Sequence, residues 1–138
     1  MRIFVYGTLK PGHANWERAL GGRVEHWRPA RVRGRLFDLP LGFPAAVRGP
    51  GWIHGCLLHL PPEYLPVVDA IEGYAPDRRP ECNTYQRLEV PAFSPEGIPL
   101  GRAQAYFMDE EPVRRLGGTG LPGGQWPPGK ETERPNGA

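Results

Sequence analysis

The chain is divided into short strand-like runs, and only two stretches between them have the pattern of a helix. The runs are rich in β-branched and aromatic residues and are bounded by Gly or Pro, which favours strands. They cover residues 3–6, 23–39, 52–60, 85–93 and 102–108, with a shorter run ending at residue 47. The helical stretches cover residues 13–20 and 61–71. Because strands and helices do not alternate regularly, the pattern predicts an α+β fold, a small mixed β-barrel of about six strands with short helices packed outside.

The last part of the chain has a different composition from the rest. From residue 117 onward, 11 of 22 residues are Gly or Pro, and few of the others can contribute to a hydrophobic core. This composition predicts a domain at residues 1–116 and an extended or disordered Gly/Pro-rich tail at residues 117–138. A domain of this length can bury one modest core.

Several classes of protein are disfavoured by the composition. No apolar run approaches the roughly 20 residues of a membrane span, and the N-terminus reads as a strand rather than as a signal peptide. We therefore expect a cytoplasmic protein with no membrane partner. The two cysteines, Cys56 and Cys82, are too few for a disulfide scaffold, although a bond between them remains open. The four histidines lack metal-ligand spacing, so no metal is expected.

The net charge of +2 hides a basic first half, with nine Arg or Lys against three acidic residues in positions 1–60. Arg31, Arg33 and Arg35 alternate along the second predicted strand. The favoured interpretation is a solvated strand face whose long side chains cover apolar neighbours. A nucleic-acid partner is not expected, because the stretch lacks interleaved exposed aromatic residues. An interaction protein that uses this strand and the tail is a further alternative, and it would bind anionic polymers in a salt-sensitive way.

The polar stretch after the first strand is a candidate binding loop. Gly7 ends the strand without a side chain, so a ligand or another part of the backbone can approach closely. The N–H groups of Gly7, Thr8 and Leu9 could form a small concave anion site. Lys10 adds a positive charge beside it, and Pro-Gly at positions 11–12 forces a turn. An ordinary turn after a strand is the alternative.

Glu72 is the candidate for acid–base chemistry. It directly follows Ile71, the last apolar residue of the second helical stretch, and precedes Gly73, a natural helix C-terminal cap. A carboxylate at an apolar helix end is partly desolvated, which raises its pKa and makes it a competent general base and acid near neutrality. The alternative is an exposed glutamate at a helix end, a position that prefers cations.

The loop and the glutamate together resemble the γ-glutamylcyclotransferase-like family, which includes γ-glutamylamine cyclotransferases and AIG2-like proteins. The resemblance starts from Tyr-Gly-Thr-Leu-Lys at residues 6–10, followed about 65 residues later by Asp69-x-x-Glu72-Gly73. Further matches in the family's order are Phe43-Pro44-Ala45, Gly55, Tyr85-x-Arg87 and Tyr106. The resemblance covers roughly residues 1–110 and implies a γ-glutamylcyclotransferase-like barrel with a cavity at one end.

The resemblance also implies a function, a cyclotransferase that releases 5-oxoproline from a small-molecule γ-glutamyl amine or peptide. Glu72 would be the catalytic acid and base, without a metal or other cofactor. The expected substrate-binding residues are Tyr6, Gly7, Thr8, Leu9 and Tyr106, and further candidates are Lys10, Phe43 and Arg87. The alternative is a non-catalytic binding module for a small γ-glutamyl-like or other carboxylated metabolite. Neither the leaving amine nor the oligomeric state is predicted.

Overall fold

The computed structural model describes residues 1–13, 15–20 and 22–127, and these contain six strands and two short α-helices. The strands are β1 (Arg2–Val5), β2 (His26–Asp38), β3 (Pro44–His59), β4 (Gln86–Phe93), β5 (Pro99–Phe107) and β6 (Thr119–Leu121). The helices are α1 (Leu65–Ile71) and α2 (Glu110–Arg115), with a π-helical turn at Trp16–Leu20 and 3₁₀ turns at Pro62–Tyr64 and Pro80–Cys82. None of the described helices is long and apolar enough to cross a membrane.

Five of the strands close into a mixed barrel. Neighbouring strands follow the order β3-β1-β5-β4-β2, and β2 also pairs with β3, which closes the ring. The β1–β5 pair is parallel and the other pairs of the ring are antiparallel. The sixth strand, β6, pairs with the last residues of β2 outside the ring. The predicted small mixed barrel with short helices outside is therefore confirmed.

Two hydrophobic clusters fill the molecule. The first lies inside the ring and consists of inward-facing strand residues, including Phe4, Val32, Ile53, Leu57 and Phe107. The second lies between the ring and the helices, where Val68 of α1 and Val113 of α2 pack against outward-facing residues such as Ile3, Val5 and Leu58. The short helices can thus be stable because each buries an apolar side chain against the barrel.

The alternation along β2 places its arginines outside the barrel. Val32 and Leu36 are buried, whereas Arg33 and Arg35 are exposed. The guanidinium groups of Arg31 and Arg33 lie 3.9 and 3.8 Å from the ring centre of Trp52 on the paired strand. Arg31 and Arg33 thus cover an aromatic ring, as a solvated strand face with long side chains would.

The second predicted helix is shorter than its pattern suggests because of Pro66. The 3₁₀ turn Pro62–Tyr64 comes first, and α1 begins at Leu65, so that Pro66 lies in its first turn, where a missing N–H costs nothing. The first predicted helix, over residues 13–20, is reduced to the turn Trp16–Leu20 in the described residues.

Part of the predicted tail belongs to the sheet. Thr119–Leu121, which falls in the predicted tail, is a strand paired with the end of β2. The ladder bonds offered by the end of β2 compensate for the weak strand propensity of a Gly-rich segment. Residues 128–138 of the predicted tail lie outside the described residues, and the predicted boundary at residue 116 stays a prediction. Cys56 in β3 and the exposed Cys82 are both free, so the bond that the sequence left open is not formed.

Candidate active site

A cavity of about 390 Å³ opens where the parallel strands β1 and β5 end beside the C-terminus of α1. This volume lies in the range that holds a small molecule. Its walls come from the end of β1 and the loop that follows, from the residues before β3, and from the end of α1. The lining residues that the sequence predicted for the site are Tyr6, Gly7, Thr8, Leu9, Phe43, Glu72 and Tyr106.

The C-terminal cap of α1 places Glu72 at the cavity. The N–H of Gly73 donates to the carbonyl of Ala70 at 3.2 Å, and the N–H of Tyr74 donates to the carbonyl of Asp69 at 2.9 Å. Together with the φ of +67° at Gly73, these two bonds form a Schellman motif. The motif turns the chain sharply after Glu72, so its side chain is directed along the end of the helix and against the cavity.

The carboxylate of Glu72 is poorly solvated, and this changes its chemistry. It keeps part of its surface open to the cavity, but the surrounding protein removes most of the water around it. This burial raises the pKa of Glu72 to about 7. Among the described residues that line the cavity there is no Lys or Arg to oppose the shift. Near neutral pH, Glu72 can therefore both accept and release a proton.

The loop after β1 presents its backbone to the same cavity. The N–H of Lys10 donates to the carbonyl of Gly7 at 3.0 Å and closes a turn. A side chain at Gly7 would lie 2.8 Å from the ring of Pro44, so only glycine fits there. None of the loop hydrogen bonds in the described part of the chain is donated by the N–H groups of Gly7, Thr8 or Leu9. These three N–H groups could bind a carboxylate or a developing oxyanion.

Asn15 is a cavity residue that the sequence analysis missed. Its side-chain amide donates to the hydroxyl oxygen of Thr8 at 2.8 Å, and its backbone N–H donates to the carbonyl of Thr8 at the same distance. Asn15 directly precedes the helical turn Trp16–Leu20, and an Asn before a helical stretch is typical of a capping position. That signal could have identified it as a residue with a local structural role.

Three tyrosines form much of the polar wall, but their hydroxyl groups donate to the protein itself. Tyr6 donates to the carbonyl of Tyr106 at 2.6 Å, and Tyr85 donates to the carbonyl of Pro44 at 2.6 Å. Tyr106 donates to the carboxylate of Asp69 at 2.5 Å. Burial is the main factor that raises the pKa of all three, so they stay neutral. These tyrosines hold the walls in place. Because their hydroxyl hydrogens are already used, the loop after β1 is the source of hydrogen-bond donors to a ligand.

Arg87 lies behind the cavity wall and not in its lining. Its Nε is 2.9 Å from a carboxylate oxygen of Asp69, and its Nη1 donates to Gln104 at 3.1 Å. The Nε–H is not aligned with the Asp69 oxygen, so charge attraction rather than a hydrogen bond holds that contact. Because Asp69 also accepts from Tyr106, this ion pair supports the wall from the side of β4 and β5.

Lys10 does not line the cavity, although it follows the lining loop directly. Its ammonium group donates to the backbone carbonyl of Trp126, near the end of the described chain.

Among the described residues, no group of three or more His, Cys, Asp or Glu is placed to hold a metal ion.

Comparison with known proteins finds a family that matches nearly the whole chain. The model of the family described as "Gamma-glutamyl cyclotransferase, AIG2-like" matches residues 3–128. A curated protein of Halalkalibacterium halodurans, named "Putative gamma-glutamylcyclotransferase", is 37% identical over 65 residues. The match covers 46% of this chain and 57% of that protein, so it spans little more than half of the relative.

Solved structures share the barrel at low sequence identity. An uncharacterized protein from Pyrococcus horikoshii is 20% identical, with a TM-score of 0.61 over 91% of this chain and 89% of the other. An AIG2-like protein from Mus musculus is 22% identical, with a TM-score of 0.60 over 78% and 76% of the two chains. Part of an allophanate hydrolase from Kluyveromyces lactis is 15% identical, with a TM-score of 0.67 over 95% of this chain and 21% of the other. At these identities the similarity shows the fold alone.

Proposed function

The chain belongs to the AIG2-like gamma-glutamyl cyclotransferase family, and from this premise we propose that it releases 5-oxoproline from a γ-glutamyl amine or peptide. The observation that carries the proposal is the desolvated Glu72 carboxylate, which faces the cavity beside the loop of residues 7–9. A pKa of about 7 suits a group that must take and return one proton at neutral pH.

The proposed reaction is a ring closure within the substrate. The α-amine attacks the δ-carbonyl carbon, a new C–N bond forms, and the bond from that carbon to the γ-linked nitrogen breaks. Glu72 takes a proton from the attacking α-ammonium group and returns it to the leaving nitrogen, so one carboxylate serves both steps. The second proton that the new ring nitrogen must lose passes to the departing amine or to water. Because the attack is intramolecular, holding the folded conformer supplies much of the rate enhancement, and orientation can contribute several kcal/mol.

The binding roles that we propose follow from which donors are already used. The hydroxyl groups of Tyr6, Tyr85 and Tyr106 donate to protein acceptors. The N–H groups of the loop at residues 7–9 and the Thr8 hydroxyl then bind the α-carboxylate and the developing oxyanion. Phe43 packs against the aliphatic part of the γ-glutamyl group, and Tyr106 forms a further part of the wall.

The test is to incubate the protein with γ-glutamyl amines, γ-glutamyl dipeptides and glutathione and to measure 5-oxoproline. The Glu72→Gln variant should lower kcat by at least about 100-fold, since general acid–base catalysis contributes about that much. Glu96→Gln is the matched control, because Glu96 is exposed between β4 and β5. Equal product formation by the wild type and Glu72→Gln would rule out the role of Glu72. Thermal stabilisation by a γ-glutamyl compound without any turnover would instead support a non-catalytic binding module.

A further inference from the structure

The end of the described chain crosses the outside of the barrel and returns to the cavity loop. After β6, Gly124 packs flat on β3, where its carbonyl accepts a hydrogen bond from the N–H of His54 at 2.8 Å. A side chain at Gly124 would lie 2.1 Å from the carbonyl oxygen of Trp52, so only glycine allows this approach. We call residues 122–127 the strap.

Trp126 connects the strap to two separate parts of the molecule. Its indole N–H donates to the carboxylate of Asp38, the last residue of β2, at 2.9 Å. Its carbonyl accepts from the ammonium group of Lys10, and its ring lies 6.0 Å from the ring of His13. One residue of the strap therefore joins the end of a barrel strand to both ends of the segment 10–13.

The segment 10–13 is continuous with the cavity loop. The N–H of Lys10 donates to Gly7 at 3.0 Å and the N–H of His13 donates to Lys10 at 2.9 Å, so the two turns are linked. Asn15 then bonds back to Thr8. These local bonds give the loop its shape, but they do not attach it to the barrel. Trp126 supplies such an attachment, because it contacts both Lys10 of this segment and Asp38 at the end of β2.

We propose that Trp126 is a positioning residue for the cavity loop. By holding Lys10 and packing on His13, it keeps the N–H groups of residues 7–9 directed into the cavity before a ligand arrives. Ordering a flexible loop costs conformational entropy, and a loop that is ordered in advance spares the ligand this cost. What the loop binds rests on the proposed function, but the positioning itself does not require turnover. Lys10 then acts through the strap and does not contact the substrate.

The test measures loop order and catalysis separately. Amide exchange is followed by NMR at Lys10, His13 and Asn15, whose N–H groups are all hydrogen-bonded in the loop. Trp126→Ala should speed exchange at these amides by about tenfold, as the loss of roughly one hydrogen bond predicts. Trp27→Ala is the matched control, because Trp27 is 46% exposed on β2 and makes none of these contacts.

Trp126→Ala removes the indole contacts to Asp38 and His13, whereas Lys10→Met removes the ammonium group that donates to the Trp126 carbonyl and keeps the strap intact. Lys10→Met should also speed exchange at His13 and Asn15, whereas amides of β4 and β5 should keep their protection in both variants. Unchanged exchange in both variants would overturn the proposal. If Trp126→Ala loses protection from amide exchange throughout the barrel, the exchange measured in Lys10→Met alone tests the proposal.

Steady-state kinetics on a substrate of the wild type gives the second readout. Trp126→Ala should raise KM and lower kcat, with a fall in kcat/KM of about tenfold, because the loop is proposed to bind both the α-carboxylate and the developing oxyanion. An unchanged kcat/KM in Trp126→Ala would contradict positioning. Faster loop exchange in the variants of a protein that makes no 5-oxoproline would support the strap and reject the proposed function.

Discussion

At the scale of single residues, the acid–base chemistry of Glu72 has two structural causes, one from neighbouring residues and one from distant parts of the chain. The local cause is the Schellman motif at Gly73, which fixes where the side chain points. The long-range cause is the enclosure of the carboxylate by Tyr6, Tyr85 and Tyr106, which come from three distant parts of the chain. Only the second cause raises the pKa of Glu72 to about 7, because desolvation requires the folded cavity.

Glu72 is predicted to reduce the stability of the fold at alkaline pH. Its folded-state pKa of about 7 lies above the ordinary value of 4.5, so the folded protein holds the proton more tightly than the unfolded chain does. This contribution to stability is complete below pH 4.5 and is lost as the pH rises through about 7. Glu72→Gln should therefore increase the free energy of unfolding by up to about 3 kcal/mol near pH 8 and by about 1 kcal/mol near pH 5.

Urea unfolding of the wild type and Glu72→Gln at these two pH values checks this prediction. Glu96→Gln serves as the control, since an exposed carboxylate should show little pH-dependent difference. If Glu72→Gln raises the free energy of unfolding by the same amount at both pH values, the carboxylate is not desolvated in the folded protein.

Asn15 and Thr8 should behave as one unit in substrate binding. Asn15→Ala removes the donor to the Thr8 hydroxyl, and Thr8→Val removes the acceptor, so each variant breaks the same 2.8 Å hydrogen bond. A hydrogen bond of this kind contributes about 1 kcal/mol, which predicts a KM about five times higher for Asn15→Ala. In a double-mutant cycle, the binding free energy lost by the double variant should be about 1 kcal/mol smaller than the sum of the two single losses. Strictly additive losses would mean that Asn15 does not act through Thr8.

At the scale of secondary-structure elements, α1 and its C-terminal cap carry two carboxylates in different environments. Asp69 is directed toward the barrel, where it accepts from Tyr106 and pairs with Arg87, and so fixes the helix to β4 and β5. Glu72 follows three residues later and lies at the cavity. A helix of only seven residues has little stability of its own, so its position depends on these contacts and on its terminal cap.

Gly73→Ala tests how much the C-terminal cap of α1 contributes to the stability of the fold. Gly73 has a φ of +67°, and an added Cβ would lie 2.6 Å from the hydroxyl oxygen of Thr84. Gly42→Ala is the control, because Gly42 has a φ of +92° but no atom within 4 Å of an added Cβ. The positive φ alone costs about 1–2 kcal/mol in both variants, and Gly73→Ala should lose more.

The kinetic consequence should be confined to Gly73→Ala. A shift of the helix end displaces Glu72, so kcat for 5-oxoproline release should fall in this variant while Gly42→Ala keeps the wild-type value. Thermal unfolding and steady-state kinetics on the two proteins provide the comparison. An unchanged kcat in a folded Gly73→Ala protein would show that the cap does not position Glu72.

At the scale of the whole molecule, closure of the ring places the distant parts of the site together. The site combines residues between Phe4 and Tyr106, and β1 pairs with β3 on one side and with β5 on the other. Because β1 and β5 are parallel, their carboxyl ends meet at the same end of the barrel, where the cavity lies. The cavity is thus a consequence of the strand order.

Gly55→Ala should prevent this closure. A Cβ at Gly55 would lie 2.1 Å from the carbonyl oxygen of Val5 and 3.0 Å from the ring of Phe4, so β1 could not stay against β3. Gly22→Ala is the control, because an added Cβ there meets no atom within 4 Å. We expect Gly55→Ala to lose more than about 4 kcal/mol of stability or to remain unfolded, and Gly22→Ala to fold normally. Circular dichroism with urea unfolding distinguishes these results, and a stable Gly55→Ala protein would contradict the strand packing.

Much of the fold could be predicted from local patterns because the strands alternate clearly. The buried Val32 and Leu36 and the outward Arg33 and Arg35 follow the period of two that the sequence shows. The helix α2 was missed because it has only six residues, although the acidic start and basic end of Glu110–Arg115 suit a helix dipole. The strand β6 was missed because Thr119–Leu121 has little strand propensity and depends on the end of β2 for its pairing.

Local sequence was sufficient to predict most of the strand pattern, the loop of residues 6–10 and the helix end at Gly73, since each depends on the conformational preferences of nearby residues. The tertiary structure alone decided that Glu72 is desolvated, that Arg87 supports the wall from behind, and that Lys10 turns toward Trp126. These outcomes required contacts between residues up to 116 positions apart. Burial and ion pairing depend on which surfaces the closed barrel brings together, and local sequence does not encode that assembly.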